Sequence, residues 1–492
     1  MKRYTMWALL AALVLGLAGF AQAATEVKMV GDAFVYGTFN ANQNFTGWST
    51  GSWDNNSGAY TGAGKQTEER FQIWERFRLR SDFVANEAVK FRLGIKVQDT
   101  WGHGTFTAAN PAVSIEVYQA FLQFKLPGCD VEVTAGLQDL SLPATAFFTD
   151  SVVFGGDRAA ALVVNSPLIK DTLAVSAGFA RMLDKNRTYD TTTTQVADEF
   201  DVYFLALPVT LDGFKVTPWG AVGVAGKAAN YFTAGSYGPN SSFADSLLSA
   251  GTFVTPAGLR NDQNAYWWAG GTFEVTALDP VKFYADVIYG SGNQSDRKKN
   301  QRYGWFIDAG VEYTGLDFMT PQVFGWWSTG EDKSTRNGSE RMPSILSNWG
   351  PGNSFLFDCS QDLLKQGNMG VNPIGSMGLG ASLNNISFIE KLTNRLTFVY
   401  LRGNNAAAAI RNLNVLMGSN PYFTMGRDLT VNEYILGANF DTTYQIYENL
   451  AAVMETGWAH GQFQESVWGR RLAEKSRSGD AWKVAFGLTY KF

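Results

Sequence analysis

From Val27 to the last residue, segments of about ten residues are separated alternately by short turns and long loops, without a break. The short connectors are PGCD (127–130), LDG (211–213), ALDP (277–280), TGLD (314–317) and IYEN (446–449). They hold the Gly, Pro, Asp and Asn that tight turns require. The long connectors are 40–68, 102–113, 141–157, 183–198, 227–265, 291–302, 329–374, 403–430 and 464–479. A sandwich has no reason to keep such asymmetry along a whole chain, and no ~40-residue signature repeats as in a propeller. An outer-membrane barrel does have a reason, because its turns and loops emerge on opposite sides of a bilayer.

The segments themselves alternate. In AWKVAFGLTYKF (481–492), Trp482, Val484, Phe486, Leu488, Tyr490 and Phe492 fall on one face of a strand. Lys483, Ala485, Gly487, Thr489 and Lys491 fall on the other. Period two means a strand with unlike faces. Aromatic residues at both ends of an apolar face mark two membrane interfaces. Eleven residues at ~3.3 Å, tilted ~40°, rise ~28 Å, enough for a ~25 Å apolar band. In lipid every backbone group needs a partner, so such a sheet must close.

Strands are predicted at 27–39, 69–83, 88–101, 114–126, 130–140, 158–165, 171–182, 199–209 and 214–226. They continue at 266–277, 280–290, 303–314, 318–328, 375–386, 393–402, 431–445, 449–463 and 480–492. The expected fold is all-β: a transmembrane antiparallel β-barrel of 18 strands, with 16 as the alternative. One long loop is expected to fold into the lumen. Short helical turns are plausible at 242–250 and 360–366.

Composition agrees. Aromatic residues make up 14% and charged residues 17% of the chain, against ~25% charged in ordinary globular domains. Mean hydropathy is −0.12, which excludes a helical membrane protein but suits a barrel with a polar interior. Residues 1–23 carry Lys2 and Arg3, an apolar run from Trp7 to Phe20, and Ala21-Gln22-Ala23. This is the pattern of a cleaved secretory signal, leaving 24–492 as a single outer-membrane barrel. Loss of those two cations takes the net charge from −5 to −7, so no nucleic-acid footprint exists.

The inward phase carries the candidate site. In 69–83 it holds Arg70, Gln72, Trp74, Arg76, Arg78, Arg80 and Asp82, opposite a face of Phe71, Ile73, Phe77, Leu79 and Phe83 interrupted by Glu75. In 88–101 it holds Lys90, Arg92, Lys96 and Gln98. Paired as a hairpin, they form a basic wall of the lumen. Asp139, Asp150 and Asp157, in and beside the loop at 141–157, are the acids expected to face that wall across a constriction. Asp286, Asp308, Glu312, Glu433 and Glu455 lie on inward phases of later strands. The alternative for all these groups is a hydrated wall without selectivity.

No cofactor, metal or catalytic site is expected. His103 and His460 stand alone, without zinc-ligand spacing or a serine partner. Cys129 falls in a short turn and Cys359 in a long loop, on opposite sides of a membrane, so a disulfide is not expected.

The stretch ATEVKMVGDAFVYGTFNANQNFTGW (24–48) resembles the start of the homotrimeric outer-membrane porins of sulfate-reducing bacteria, within the general porin superfamily. Length, Gly and aromatic content and the terminal Phe match as well. The resemblance implies a homotrimer in outer-membrane lipid that passes small hydrophilic solutes and ions passively. The terminal aromatic implies recognition by the barrel assembly machinery. An 18-strand count departs from the 16 of general porins and resembles sugar- or carboxylate-selective channels. An exported soluble β-rich protein is the reading from a different class.

Overall fold

In the computed structural model, the alternating segments pair in sequence order and the last one closes on the first. The structure describes residues 25–47, 52–54, 59–61, 70–102, 114–184, 199–226, 244–247, 264–293, 298–334, 336–352, 354–358, 367–411 and 422–492. The expected signal, His103, Cys359 and the turns at 360–366 lie outside them.

The barrel strands are β1 (Glu26–Ala41), β2 (Arg70–Asn86), β3 (Val89–Thr100), β4 (Glu116–Lys125), β5 (Glu132–Leu140) and β6 (Asp157–Ile169). Next come β7 (Leu173–Leu183), β8 (Phe200–Ala206 continued as Val209–Leu211), β9 (Phe214–Ala225), β10 (Asn264–Val275), β11 (Val281–Asn293) and β12 (Arg302–Tyr313). The rest are β13 (Thr320–Ser328), β14 (Ser376–Ile389), β15 (Leu392–Gly403), β16 (Tyr434–Tyr447), β17 (Leu450–Gln462) and β18 (Ala481–Lys491). Every pairing is antiparallel, and β1 pairs with β18 as well as β2, giving a closed 18-strand barrel. The interruption in β8 falls at Leu207-Pro208, where Pro has no N–H to donate. The expected turn near 242–250 contains the short helix Ala244–Leu247.

The faces sort as the alternation requires. In β18, Trp482, Val484, Phe486, Leu488, Tyr490 and Phe492 are exposed on the outside, while Ala481, Lys483 and Ala485 are buried inside. Trp267, Trp305, Trp327, Tyr400 and Trp482 are exposed toward the outer ends of their strands. Phe83, Phe91, Phe273, Tyr313, Tyr444 and Tyr490 are exposed toward the opposite ends. These two rows are the aromatic girdles of a barrel in lipid. The terminal Phe492 completes the closing seam. Its carbonyl accepts from Gly31 N at 2.8 Å, and its ring stacks on Phe77. That ring lies where a side chain at position 31 would be.

Candidate functional site in the lumen

The β2–β3 hairpin places its inward cations as the alternation predicts. Arg76 faces Gln98, Arg78 faces Lys96, Arg80 faces Gly94 and Asp82 faces Arg92. Among the ion-paired cations, side-chain exposure ranges from 16% for Lys96 to 35% for Arg78. Arg70 stands exposed at the first position of β2, and Lys90 lies toward the opposite end of the wall, facing Val84 and Gln123.

The acids that answer this wall come from the wall itself and from the strands on either side of it. Asp32, on the inward phase of β1, accepts from Arg78 Nε at 3.0 Å on both oxygens and from Arg76 Nη2 at 3.1 Å. Asp82 takes a bidentate grip from Arg92 at 2.6 and 2.7 Å. Glu116, at the head of β4, binds Lys96 at 3.1 Å and Arg158 at 2.8 Å. Such planar forks are strong, geometrically specific pairs. Rings support the guanidinium groups: Arg76 lies 4.2 Å from the Phe34 ring centroid, Arg92 5.6 Å from Phe121, and Arg78 and Arg158 both approach Tyr118.

Arg80 differs. It has no carboxylate partner among the described residues, its Nε lacks a hydrogen-bond partner, and the opposing position is Gly94. Lys90 also has no ion-pair partner among them. Among the described residues, positive charge is therefore left over along the wall.

Of the three predicted loop acids, Asp139 joins the wall. It accepts from Gln119 Nε2 at 2.6 Å and faces Arg158 across the β5–β6 pair. Asp150 accepts from Ser141 Oγ and, at 3.0 Å, from Ser151 N, so it is engaged within its own loop. Asp157 opens β6 opposite Leu140.

That loop does fold inward, for a reason period-two reading does not contain. It is one part of a partition built mainly from aromatic residues. Phe148 stacks on Trp349 at 5.1 Å, and Trp349 meets Phe306, Trp326 and Phe357 at 5.2–5.6 Å. Phe147 contacts Tyr284 and Phe324 and occupies the space left by Gly310. The loop after β5 and the loop after β13 are sewn together. Val153 O accepts from Ile345 N and Leu346 N, Gly350 O accepts from Thr149 N, and Phe154 bridges Leu346.

The later inward acids hold this partition and the loops above it. Asp286 accepts from Thr145 N at 3.0 Å and Thr145 Oγ1 at 3.1 Å. Asp308, its cross-strand neighbour, accepts from Trp349 Nε1 at 2.6 Å. On the far side, Lys483 pairs with Glu455 at 3.2 Å and donates to Asn368 Oδ1 at 3.0 Å. Glu312 accepts from Tyr284 OH at 2.8 Å. Glu433 accepts from Trp468 Nε1 at 2.7 Å. Phe355 and Leu356 fill the spaces left by Gly457 and Gly437. The partition thus reaches from β11–β13 to β16–β18, leaving the β1–β5 side to the charged wall.

Above it, buried charges tie the loop after β13 to the loop after β15. Arg341 binds Asp428 at 2.8 Å and lies over the Phe423 ring. Glu331 accepts from Ser339 Oγ at 2.7 Å, and Ser339 meets Tyr422 OH. Burial pushes Glu331 up to about 7, against the pull of the Ser339 hydrogen bond, Arg341 and Arg302. Glu340 adds to the upward push. A carboxyl raised in the folded state binds its proton more tightly there than when unfolded. Loop packing should therefore weaken as pH rises through about 4.5–7, by at most about 3 kcal/mol at ~1.4 kcal/mol per unit. Limited proteolysis at pH 5 and pH 8 should show faster cutting near 331–341 at pH 8, and Glu331→Gln should abolish the difference.

Cys129 is a free, exposed thiol in the β4–β5 turn. His460 Nδ1 lies 2.8 Å from Asp480. No group of three or more His, Cys, Asp or Glu among the described residues could hold a metal ion.

No protein-family model and no curated protein sequence matches the chain. Solved structures do. OpdO of Pseudomonas aeruginosa superposes with a TM-score of 0.51 at 9% identity, covering 95% of this chain and 97% of that one. OprD of the same organism gives 0.50 at 11% identity, covering 96% and 97%. OccK11 (OpdR), also from that organism, gives 0.50 at 8% identity, covering 94% and 95%. At such identities the likeness is one of fold: the chain has the 18-strand barrel of the OprD/Occ outer-membrane channels.

Proposed function

We propose that the chain is an outer-membrane porin, a water-filled channel for passive diffusion of small hydrophilic solutes and ions. The observation that carries this reading is the divided lumen. A closed barrel with a lipid-facing exterior holds one aromatic-packed side and one side lined along its strands with solvated charge. A structural barrel needs no such charged wall, because burying charge is costly. The shared architecture with OprD/Occ channels supports the same reading.

A finer reading is preference for anions, carboxylates among them. Arg80, beside the gap at Gly94, and Lys90, farther along the wall, favour it, since neither forms an ion pair among the described residues. Residues 1–23 fit a cleaved export signal, the amino-terminal resemblance implies a homotrimer, and Phe492 suits recognition by the barrel assembly machinery.

The test is single-channel recording of the purified, unboiled protein in a planar bilayer under a salt gradient. Ohmic current closing in three equal steps, with an anion-selective reversal potential, is expected. A folded, heat-modifiable barrel that passes no current would overturn the porin reading.

A further inference from the structure

Positive charge at the outer rim is not distributed evenly. At β7 an arginine on the outward phase is matched. Arg181 takes Asp201 in a bidentate pair and also binds Asp184, all at 2.9 Å. Over β15–β18 the pattern changes. Leu401 is wholly buried inside the barrel, so its neighbour Arg402 points outward, and it is exposed. Arg402 has no carboxylate partner among the described residues. It stands in one row with Tyr434 and Gln462 on the adjoining strands. Tyr400, two residues nearer the apolar band, is exposed and meets the Tyr434 ring at 6.0 Å.

The loop between β17 and β18 leaves the strand at Gln462, the last member of this row. Its helix Arg470–Ser476 buries Leu472, Ala473 and Ser476 and exposes Arg470, Arg471, Lys475 and the following Arg477. Two of the loop's acids are engaged: Glu474 with Arg470 at 2.8 Å, and Asp480 with Trp458 Nε1 and His460 Nδ1 at 2.9 and 2.8 Å. Glu465 is the remaining acid. Trp458 and Trp482 lie opposite each other on the outer face. Asp480 therefore marks the level of the aromatic girdle, and Arg477, three residues away, stands within ~10 Å of it. Lys475 and Arg477 have no ion-pair partner among the described residues.

We propose that this collar, Arg402 with Lys475 and Arg477, docks the phosphorylated headgroup of an outer-leaflet glycolipid. The proposal rests on the outer-membrane reading above. The placement fits that chemistry. Unmatched cations sit just above an aromatic girdle, where headgroups lie, and the rest of the chain is net acidic, so the collar is a local exception. Basic side chains beside an anionic lipid surface are held by that surface within about a Debye length.

The experiment folds the full chain in detergent, adds bisphosphorylated lipid A, and reads lipid retention by native mass spectrometry. Retention by the native protein is expected to fall with added salt. It should drop about tenfold or more in Arg402→Gln/Lys475→Gln/Arg477→Gln. Lys125→Gln, which removes one cation at the exposed periplasmic rim, should leave it unchanged, and Arg402→Lys should keep it. Heat-modifiable mobility on gels verifies folding of each variant. Equal retention by native and triple-variant protein overturns the proposal. So does retention of inorganic phosphate as strong as that of lipid A. Cross-linking between protomers of Arg402→Cys, with no lipid retained, overturns it in favour of a second copy of this chain. Conductance in a phosphatidylcholine bilayer is read separately. Its absence together with lipid retention would sink the porin reading and leave the collar standing.

Discussion

Trp349→Ala should enlarge the channel while leaving the barrel closed. Trp349 is the hub of the partition, with four aromatic neighbours and an indole N–H on Asp308. Truncating a buried Trp costs about 3–5 kcal/mol through lost contacts and the cavity left behind. It also leaves the Asp308 Oδ2 carboxylate oxygen without its N–H donor, an added desolvation cost. These costs fall on loop packing, because the eighteen strands are paired to one another and not through Trp349. Single-channel recordings should show conductance higher by about twofold or more, with added noise as the loops sample open positions. The folded, heat-modifiable form should persist on gels. Unchanged conductance would mean that the partition does not limit the passage. Loss of the folded form would mean that the barrel needs its filling to close.

What was legible in the sequence divides along one physical line. Strand position and facing follow from a local period of two, and the phases read along β2, β3 and β18 are those observed. Even the departure at Glu75 is real: it faces outward and accepts from Trp101 Nε1 at 2.8 Å. Pairing order followed too, because short turns force neighbours together. Partners separated widely in sequence were not legible. Asp32 lies in a segment read only as a strand, with no face assigned, and only the β1–β2 register brings it opposite Arg78. The partition was hidden for the same reason. Phe148 and Trp349 are 201 residues apart, and loops carry no period to align them. Gly310, Gly437 and Gly457 held the one usable signal. They are inward glycines in mid-strand, where a large side chain from elsewhere fills the space.

The same division explains why the charged wall was placed but not balanced. Like charges crowded on one face called for acids, and the loop after β5 was the nearest acidic stretch. The structure meets the need more cheaply. Asp82 lies on the wall's own β2 and Asp32 on the adjoining β1, so pairing needs no loop ordering beyond the sheet itself. Pairing within the sheet also leaves particular cations over, which pairing across the lumen would not identify.

Arg80 is the position where that surplus should be read. Two unit charges 4 Å apart at an effective dielectric near 20 interact by about 4 kcal/mol, so one reversed charge beside the passage dominates local ion occupancy. Arg80→Glu should move the reversal potential in a salt gradient from anion toward cation preference, changing the permeability ratio about tenfold or more. Because Arg80 forms no ion pair among the described residues and reaches Asp82 only through space, the folded barrel should lose little thermal stability. Arg92→Gln provides the contrast. It deprives Asp82 of both its hydrogen bonds, so it should shift selectivity the same way and also destabilise the protein by about 1–3 kcal/mol. Adding Asp82→Asn to Arg92→Gln should restore stability and most of the native selectivity, since the pair then contributes no net charge in either form. If Arg80→Glu leaves the reversal potential where it was while Arg92→Gln moves it, the ions pass nearer the paired part of the wall. The surplus at Arg80 would then be structural rather than selective.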